Sequence, residues 1–455
     1  MSKTRQTSYI RILLLLLALQ IFTEARAQSV SVEIEVDSKA RTARISGNFG
    51  EGSGSLQFRR SVAGNDKLFE RFRELRSENG TGTGQQGKRW SYVVDVTPTE
   101  NRTSAAHASW LVEDGGVLML DDLLPLPAAG YERRTVTVKL RLPNGWSSFT
   151  TENSKGSGVY DVSDRGRSII FVGDRFREVK TKTGGVSLIL DGKWNFADPE
   201  AAKMAAEIFD AYAKMLGSLP GSRILLAVTK FPQGEAPGQW EAETRGTTVL
   251  IASSDVPFKD RSAVRLHEQL RHEVFHLWFP NAVNLTGDYA WFYEGAALYQ
   301  SLKLGVALKR IKFSDLLDTL SRAISIDRGM SVDPGWSMGL SPQHYARAMV
   351  LAFLLDLQIL KETNGEMGAE KGLSDVFRLR KHPAAASDAV EELIARYGSR
   401  DLFLNNAFRG GKIAFSAEIE SAGLRARDDG RTVTLSVASN PNAGQKAILK
   451  RLGYN

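Results

Sequence analysis

The hydrophobic and polar positions follow two different periods along this chain. Between residues 30 and 176, apolar residues alternate with polar ones, as in residues 30–36 and 136–140, and Gly and Asn separate the alternating runs. A period of two places apolar side chains on one face of a β-strand. The first part of the chain is therefore predicted to form an antiparallel β-sandwich.

The pattern becomes helical after residue 197. Asp198-Pro199 is a favourable helix start, and the apolar residues Met204, Ile208 and Tyr212 follow at helical spacing. Short apolar runs at residues 224–228 and 247–252 predict strands packed against helices. Nearly everything between residues 294 and 406 is helical in pattern, and a short mixed tail with one predicted strand at residues 432–437 follows.

One of the predicted helices carries the sequence His-Glu-Val-Phe-His at residues 272–276, and Glu294 follows within Trp-Phe-Tyr-Glu-Gly at residues 291–295. Positions four apart on a helix differ by about 400° of rotation, so His272 and His276 face the same way. Zinc accepts imidazole nitrogen and carboxylate oxygen, and a catalytic zinc has three protein ligands. We predict one zinc ion per chain, bound by His272, His276 and Glu294.

The alternative is a chance match on an amphipathic helix, which is improbable in a chain with 6 histidines. Glu294 lies in a segment of helical pattern, residues 288–302, among aromatic residues that are predicted to be buried. A carboxylate is costly there unless it is paired or binds a metal. His267 lies off the ligand face, and we interpret it as a histidine on the helix surface.

Zinc with three protein ligands lowers the pKa of its bound water. Glu273 is placed to take the proton of that water as it attacks a carbonyl, and then to pass the proton to the leaving amine. A second donor is expected opposite the zinc to stabilise the oxyanion. Tyr345, just before an apolar helix at residues 349–360, is a candidate, and a structural tyrosine at a helix start is the alternative.

These motifs, with His-Leu-Trp at residues 276–278 and the preceding β domain, resemble the glycyl-aminopeptidase branch of the gluzincin metallopeptidases over residues 30–410. The resemblance implies peptide substrates with a free N-terminus. Residues 238–242 are similar to the family's Gly-Gly-Leu-Glu-His segment, which lies just before an edge strand; this implies that Gly238 and Glu241 bind the substrate, with Glu241 at its α-amine. The family's Tyr-x-Lys-Gly segment resembles residues 345–348, which implies that Tyr345 is the oxyanion donor.

The chain also departs from this family. Gln239, Trp240 and Ala242 replace the family's Gly, Leu and His, which puts a preference for glycine in doubt. The link from His276 to Glu294 is shorter than in this branch and nearer to that of the related, larger aminopeptidases. The patterns and the resemblance together predict an α+β multidomain protein: a signal peptide at residues 1–27, a β-sandwich at 28–180, a thermolysin-like catalytic domain at 181–303, a helical domain at 304–410 and a mixed tail at 411–455.

The composition adds a prediction of export. Lys3, Arg5 and Arg11 precede an apolar run at residues 12–18, and Ala-Arg-Ala at residues 25–27 offers a cleavage site. The run is too short to span a bilayer stably, so no membrane insertion is expected after cleavage; an uncleaved anchor is the alternative. The chain has no cysteine, so the metal donors are nitrogen and oxygen, and export without disulfides fits a bacterial envelope, either periplasmic or secreted.

The formal net charge is +7, which is too mild and too scattered to indicate nucleic-acid binding. The predicted function is thus an exported zinc metallopeptidase that acts as an aminopeptidase. A zinc endopeptidase with the same ligands and a non-catalytic binding protein on a peptidase scaffold are the alternatives. The sequence does not indicate the oligomeric state.

Overall fold

A computed structural model describes residues 30–49, 54–59, 68–82, 86–126, 135–234, 237–287, 289–327, 341–396, 411, 413 and 415–454. The predicted signal peptide lies outside the described residues. The chain divides into two compact units: unit 1 comprises Met1–Thr99 and Ala108–Asp174, and unit 2 comprises Glu100–His107 and Arg175–Asn455. The domain boundaries at residues 180, 303 and 410 stay predictions.

Unit 1 consists mainly of strands. In chain order its elements are β1 Val30–Asp37, β2 Thr42–Asn48, β3 Gly54–Ser55, β4 Phe72–Ser77, β5 Gly80–Thr81, β6 Gln86–Gly87, β7 Arg89–Asp95, β8 Trp110–Val112, β9 Gly115–Met119, a short helix Leu120–Leu123, β10 Val136–Arg141, β11 Ser147–Phe149, β12 Asn153–Gly156, β13 Val159–Val162 and β14 Ile169–Gly173, with 3₁₀ turns at Leu68–Arg71 and Arg165–Arg167.

Two sheets enclose the core of unit 1. The larger has the strand order β12-β13-β10-β1-β2-β7-β4-β5, and the smaller has the order β11-β14-β9-β8. Ile34 and Val138 from the first sheet share one hydrophobic core with Leu118 and Ile170 from the second. The prediction of a wholly antiparallel sandwich is wrong at one pair, because β1 and β10 run parallel. These strands are far apart in the chain, and the long connection between them permits a parallel pair.

Unit 2 mixes strands and helices. Its strands are β15 Phe176–Lys180, β16 Val186–Asp191, β17 Ile224–Thr229, β18 Trp240–Arg245, β19 Thr248–Ser253, β20 Leu285–Thr286, β21 Ala384–Ala385, β22 Leu424–Asp428 and β23 Val433–Val437. Its helices are α1 Ser104–His107, α2 Asp198–Leu216, α3 Lys259–His276, α4 Ala290–Ala307, α5 Phe313–Ile326, α6 Pro342–Glu362, α7 Ala369–Phe377, α8 Ala386–Arg396, α9 Ser416–Ser421 and α10 Ala443–Leu452, with a 3₁₀ turn at Arg378–Lys381.

A five-stranded sheet with the order β15-β16-β17-β19-β18 is the main sheet of unit 2. The strands β16, β17 and β19 are parallel, and every residue of β17 and β19 is buried, as expected for strands covered on both faces. These two strands match the predicted runs. The edge strand β18 is antiparallel to β19, and residues 238–242 run into this strand rather than ending before it.

Helix α3 begins at Lys259 after Phe258, and the hydroxyl of Ser262 in its first turn donates to Asp255. The helix ends at His276, and a turn continues the chain. In the part of the chain that the structure describes, no helix is both long and apolar enough to cross a membrane.

Candidate metal centre

Two neighbouring helices bring the predicted metal ligands together. Helix α3 carries His272 and His276 one turn apart, and helix α4 carries Glu294. The Nε2 atoms of the two histidines lie 3.3 Å apart. The carboxylate oxygens of Glu294 lie 3.5 Å from His272 Nε2 and 3.6 Å from His276 Nε2. The ligand atoms of all three residues lie within 4.8 Å of one another.

These separations fit a small tetrahedral ion. Zinc–nitrogen bonds of about 2.1 Å place neighbouring donor atoms of a tetrahedron about 3.4 Å apart. The separation of 3.3 Å between the two imidazole nitrogens is close to that edge length, and each nitrogen has one oxygen of Glu294, Oε2 for His272 and Oε1 for His276, at 3.5 and 3.6 Å. Two imidazoles and a carboxylate form a donor set that catalytic zinc sites use, with the fourth position left open. The residues present therefore fit one zinc ion.

His276 is oriented, and Glu294 is ionised, as metal binding requires. His276 Nδ1 lies 2.9 Å from the carbonyl oxygen of Phe279. Because a carbonyl only accepts, Nδ1 is the donor of this contact, and Nε2 is the ring nitrogen that faces the other ligands. Burial acts to raise the pKa of Glu294, but the charge of His276 and a hydrogen bond from His272 outweigh burial and lower the pKa to about 2. Glu294 is therefore ionised.

Glu273 is buried beside the ligands. Its Oε1 atom lies 3.9 Å from His272 Nε2, and its Oε2 atom accepts a hydrogen bond of 3.0 Å from Thr244 Oγ1. Burial raises the pKa of Glu273, while the charges of His272 and His276 act in the opposite direction. A carboxylate with a raised pKa is a better proton acceptor near neutral pH than an exposed one, as a general base requires.

Tyr345 lies in the first turn of α6 and is close to this cluster. Burial raises its pKa to about 12, and the negative charges of Glu294, Glu241 and Glu273 act in the same direction. The Tyr345 hydroxyl is protonated at neutral pH and can donate a hydrogen bond.

The two residues expected to bind substrate lie at the start of β18. Glu241 is half-buried, and its Oε1 atom accepts a hydrogen bond of 3.4 Å from Thr103 Oγ1. Burial raises the pKa of Glu241, and the charge of His107 opposes this. Gly238 has a φ of +76°, which glycine adopts readily, and its carbonyl accepts a hydrogen bond of 2.8 Å from Arg265.

The segment Glu100–His107 contacts β18, and sequence reasoning missed it. His107 Nδ1 lies 2.6 Å from Glu243 Oε2, and Arg245 Nε lies 3.0 Å from Glu243 Oε1. The segment lies between strands of unit 1 in the chain, and 138 positions separate Thr103 from its partner in β18. No local sequence pattern predicts a contact between residues so far apart in the chain. Thr244 was missed for the same reason.

The interpretation of His267 as a surface residue is wrong. Its side chain is buried, and its Nδ1 atom lies 2.5 Å from Arg271 Nη1. Burial and, to a smaller extent, the charge of Arg271 together lower the pKa of His267 to about 3, so the ring is neutral. The physical reason is that α3 is covered on this side as well, since Tyr212 of α2 donates to the Arg271 carbonyl at 2.7 Å. Residues off the ligand face therefore also lie in the core.

No family model matches the sequence, and no curated protein matches it either. Solved structures do match the fold. An aminopeptidase N family protein from Idiomarina loihiensis is similar with a TM-score of 0.71 and 13% identity, over 88% of this chain and 80% of that one. The M1 zinc metallopeptidase from Deinococcus radiodurans is similar with a TM-score of 0.51 and 13% identity, over 85% of this chain and 94% of that one.

A mutant of the Deinococcus radiodurans enzyme bound to a Tyr-Ser-Ala substrate is also similar, with a TM-score of 0.52 and 11% identity, over 84% of this chain and 94% of that one. At such low identity the likeness concerns the fold. The chain thus has a mixed α/β architecture that it shares with M1 zinc metallopeptidases.

Proposed function

We propose that this protein is an exported zinc-dependent aminopeptidase that removes N-terminal residues from peptides. The observation that carries the proposal is the convergence of His272, His276 and Glu294, whose ligand atoms lie within 4.8 Å of one another, with Glu273 buried next to them. The fold shared with M1 zinc metallopeptidases supports it. Export rests on the pattern of residues 1–27 alone.

Each residue of the site has one task in the proposed reaction. His272, His276 and Glu294 would hold the zinc, which when bound would supply Lewis-acid activation of water and of a carbonyl. Glu273 accepts the proton of the attacking water and returns it to the leaving amine. The Tyr345 hydroxyl, protonated because burial raises its pKa to about 12, donates a hydrogen bond to the oxyanion that forms on the carbonyl.

The direction of attack rests on Glu241. Its negative charge acts to raise the pKa of Tyr345, and its strand β18 is an edge of the sheet, which can accept an extended peptide as a further strand. A protein carboxylate beside the N-terminus of such a peptide favours a cationic α-amine over a blocked one. A solved neighbour was crystallised with the peptide Tyr-Ser-Ala, which is consistent with a peptide substrate here.

The test begins with bound metal and then compares matched peptides. Elemental analysis of protein purified without chelator should show one zinc per chain. Cleavage of a free peptide and its N-acetylated copy, followed by mass spectrometry, should show stepwise removal of N-terminal residues from the free copy. The free peptide should be preferred at least tenfold, because a charge pair of this kind contributes about 2–5 kcal/mol.

Glu241→Ala should erode this preference by lowering kcat/KM for the free peptide with little effect on the acetylated one. Equal internal cleavage of both peptides would instead identify an endopeptidase. Zinc binding without any cleavage would support the non-catalytic alternative. A protein that binds no zinc, even after zinc is added, would refute both the aminopeptidase and the endopeptidase.

A further inference from the structure

The two faces of the edge strand β18 have different neighbours. Side chains alternate along a strand, so Glu241, Glu243 and Arg245 share one face and Trp240 and Thr244 share the other. The first face contacts the segment Glu100–His107. The second face contacts the helix that carries the metal ligands, because Thr244 lies against Glu273 and the Trp240 ring lies 6.2 Å from the His272 ring.

Thr244 contacts only one of the two carboxylate oxygens of Glu273. Its hydroxyl donates to Oε2 at 3.0 Å, whereas Oε1 is the oxygen that lies 3.9 Å from His272 Nε2. The terminal torsion of a glutamate is broad and has no strong intrinsic preference. A hydrogen bond to one oxygen therefore selects the rotation of the carboxylate and leaves the other oxygen directed towards the ligand cluster.

The backbone of Thr244 is anchored independently of its hydroxyl. Asn281 Nδ2 donates to the Thr244 carbonyl at 2.9 Å and to the His276 carbonyl at 3.0 Å, and Asn281 Oδ1 accepts from Gly246 N at 2.8 Å. This amide joins β18 to the C-terminal end of helix α3. The strand and the helix thus stay in register when the hydroxyl is removed, so the hydroxyl can be tested separately from the fold.

We propose that Thr244 is a positioning residue for Glu273: its hydroxyl fixes the carboxylate so that Oε1 receives the proton of the attacking water. This inference rests on the proposed function. The competing possibility is that the hydroxyl donates to the Glu273 backbone carbonyl, 3.2 Å away, and only ties the strand to the helix. A hydroxyl has one proton, so the two possibilities predict different behaviour.

The first experiment compares Thr244→Val, which keeps the shape and removes the hydroxyl, with Thr244→Ser, which keeps the hydroxyl. Thr244→Val should lower kcat about tenfold or more with little change in KM, because a bond to a charged group is lost. Thr244→Ser should restore most of kcat. Zinc content should stay at the wild-type level in both variants. Thr229→Val is the matched control, since Thr229 is buried in β17 of the same sheet and its hydroxyl has no hydrogen-bond partner there.

The second experiment is a double-mutant cycle with Glu273→Gln. If the Thr244 hydroxyl acts through the Glu273 carboxylate, Thr244→Val should add little to the loss that Glu273→Gln already causes.

A third experiment measures inhibitor binding and does not require turnover. Calorimetry should show that a peptide hydroxamate, whose acidic proton can pass to Oε1, binds zinc-loaded Thr244→Val severalfold more weakly than wild type, with Thr229→Val unchanged.

Three results would each overturn the inference: a wild-type kcat in Thr244→Val, an equal loss in Thr244→Ser and Thr244→Val, or an undiminished effect of Thr244→Val on the Glu273→Gln background. If the zinc-loaded wild-type protein cleaves no peptide, it is the proposed function that fails. The hydroxamate measurement then still decides the role of Thr244, because equal affinities in wild type and Thr244→Val contradict it.

Discussion

Helix α4 contributes residues to two buried polar clusters that differ in how their charge is compensated. The metal cluster comprises His272, Glu273, His276 and Glu294. The lysine cluster comprises Tyr299, Lys303, Asp356 and Glu370, in which Lys303 Nζ lies 2.8 Å from Asp356 and 3.3 Å from Glu370, and the Tyr299 hydroxyl donates to Asp356 at 2.6 Å.

The lysine cluster contains its own cations. Burial acts to lower the pKa of Lys303, but the charges of Asp356 and Glu370 outweigh it and raise the pKa. Arg451 adds a second cation, 2.8 Å from Glu370. Two cations therefore face two carboxylates. Such a set of charges compensates itself without a ligand, and removal of one partner leaves an unpaired buried charge.

The metal cluster has no permanent cation of its own among the described residues. The ion-pair partners of Glu273 and Glu294 there are histidines, which carry a charge only when protonated. With neutral histidines, the two carboxylates leave a charge that a divalent cation matches. The comparison teaches that a buried carboxylate cluster indicates a ligand site when its compensating charge must come from outside the chain.

Removal of zinc should give the largest difference between the clusters. Chelation should abolish peptide cleavage, and it should lower the free energy of unfolding by about 4 kcal/mol relative to protein with free zinc about 1,000-fold above its Kd. Unfolding curves with and without zinc measure this. Lys303→Met should keep the same zinc-dependent increment, because Lys303 and Glu294 are about 13 Å apart along the helix. An unchanged activity after complete chelation would contradict the assignment.

Glu273→Gln tests the metal cluster without removing a ligand. Loss of the proton acceptor should lower kcat by about 10²- to 10⁴-fold, while the zinc content stays at the wild-type level. Steady-state kinetics combined with elemental analysis check both parts. A variant that retains zinc and a near wild-type kcat would show that another group is the base.

Lys303→Met tests the lysine cluster in the same way. Two buried carboxylates lose their shared cation, so the free energy of unfolding should fall by about 3–5 kcal/mol, with kcat near that of the wild type. Denaturant unfolding followed by circular dichroism measures the loss. Lys371→Met is the control, since Lys371 forms a more exposed pair with Asp375 and should contribute at most about 1 kcal/mol. Similar losses of unfolding free energy in Lys303→Met and Lys371→Met would show that the lysine cluster contributes no more than an exposed ion pair.

Tyr345→Phe should have the smallest effect of these changes. Loss of one hydrogen bond to the oxyanion should lower kcat about 10²- to 10³-fold, with a smaller change in KM. Because the pKa of Tyr345 is raised to about 12, its hydroxyl is protonated between about pH 6 and pH 9, so the ratio of wild-type to variant kcat should be constant over that range. A wild-type kcat in Tyr345→Phe would leave Tyr345 as a structural residue.

The sequence predicted the features that depend only on residues close together in the chain. The spacing of His272 and His276 places both on one face of any helix that includes them, so their convergence needs no knowledge of the rest of the chain. The strands β17 and β19 were likewise predicted from short apolar runs, because strands covered on both faces lose their alternation. Glu294 was predicted because a carboxylate among aromatic residues needs a partner.

Only the tertiary structure decided the contacts that pass between distant segments. The pairing of β18 with β19 brings Thr244 to Glu273, the segment Glu100–His107 reaches Glu241 across 138 positions, and Lys303 meets Asp356 between two helices. Periodicity records which face of an element is buried, but it does not record which other element covers that face. The position of the candidate metal ligands could therefore be read from the sequence, whereas the contacts of Glu273 with Thr244 and of Glu241 with Thr103 depended on the fold.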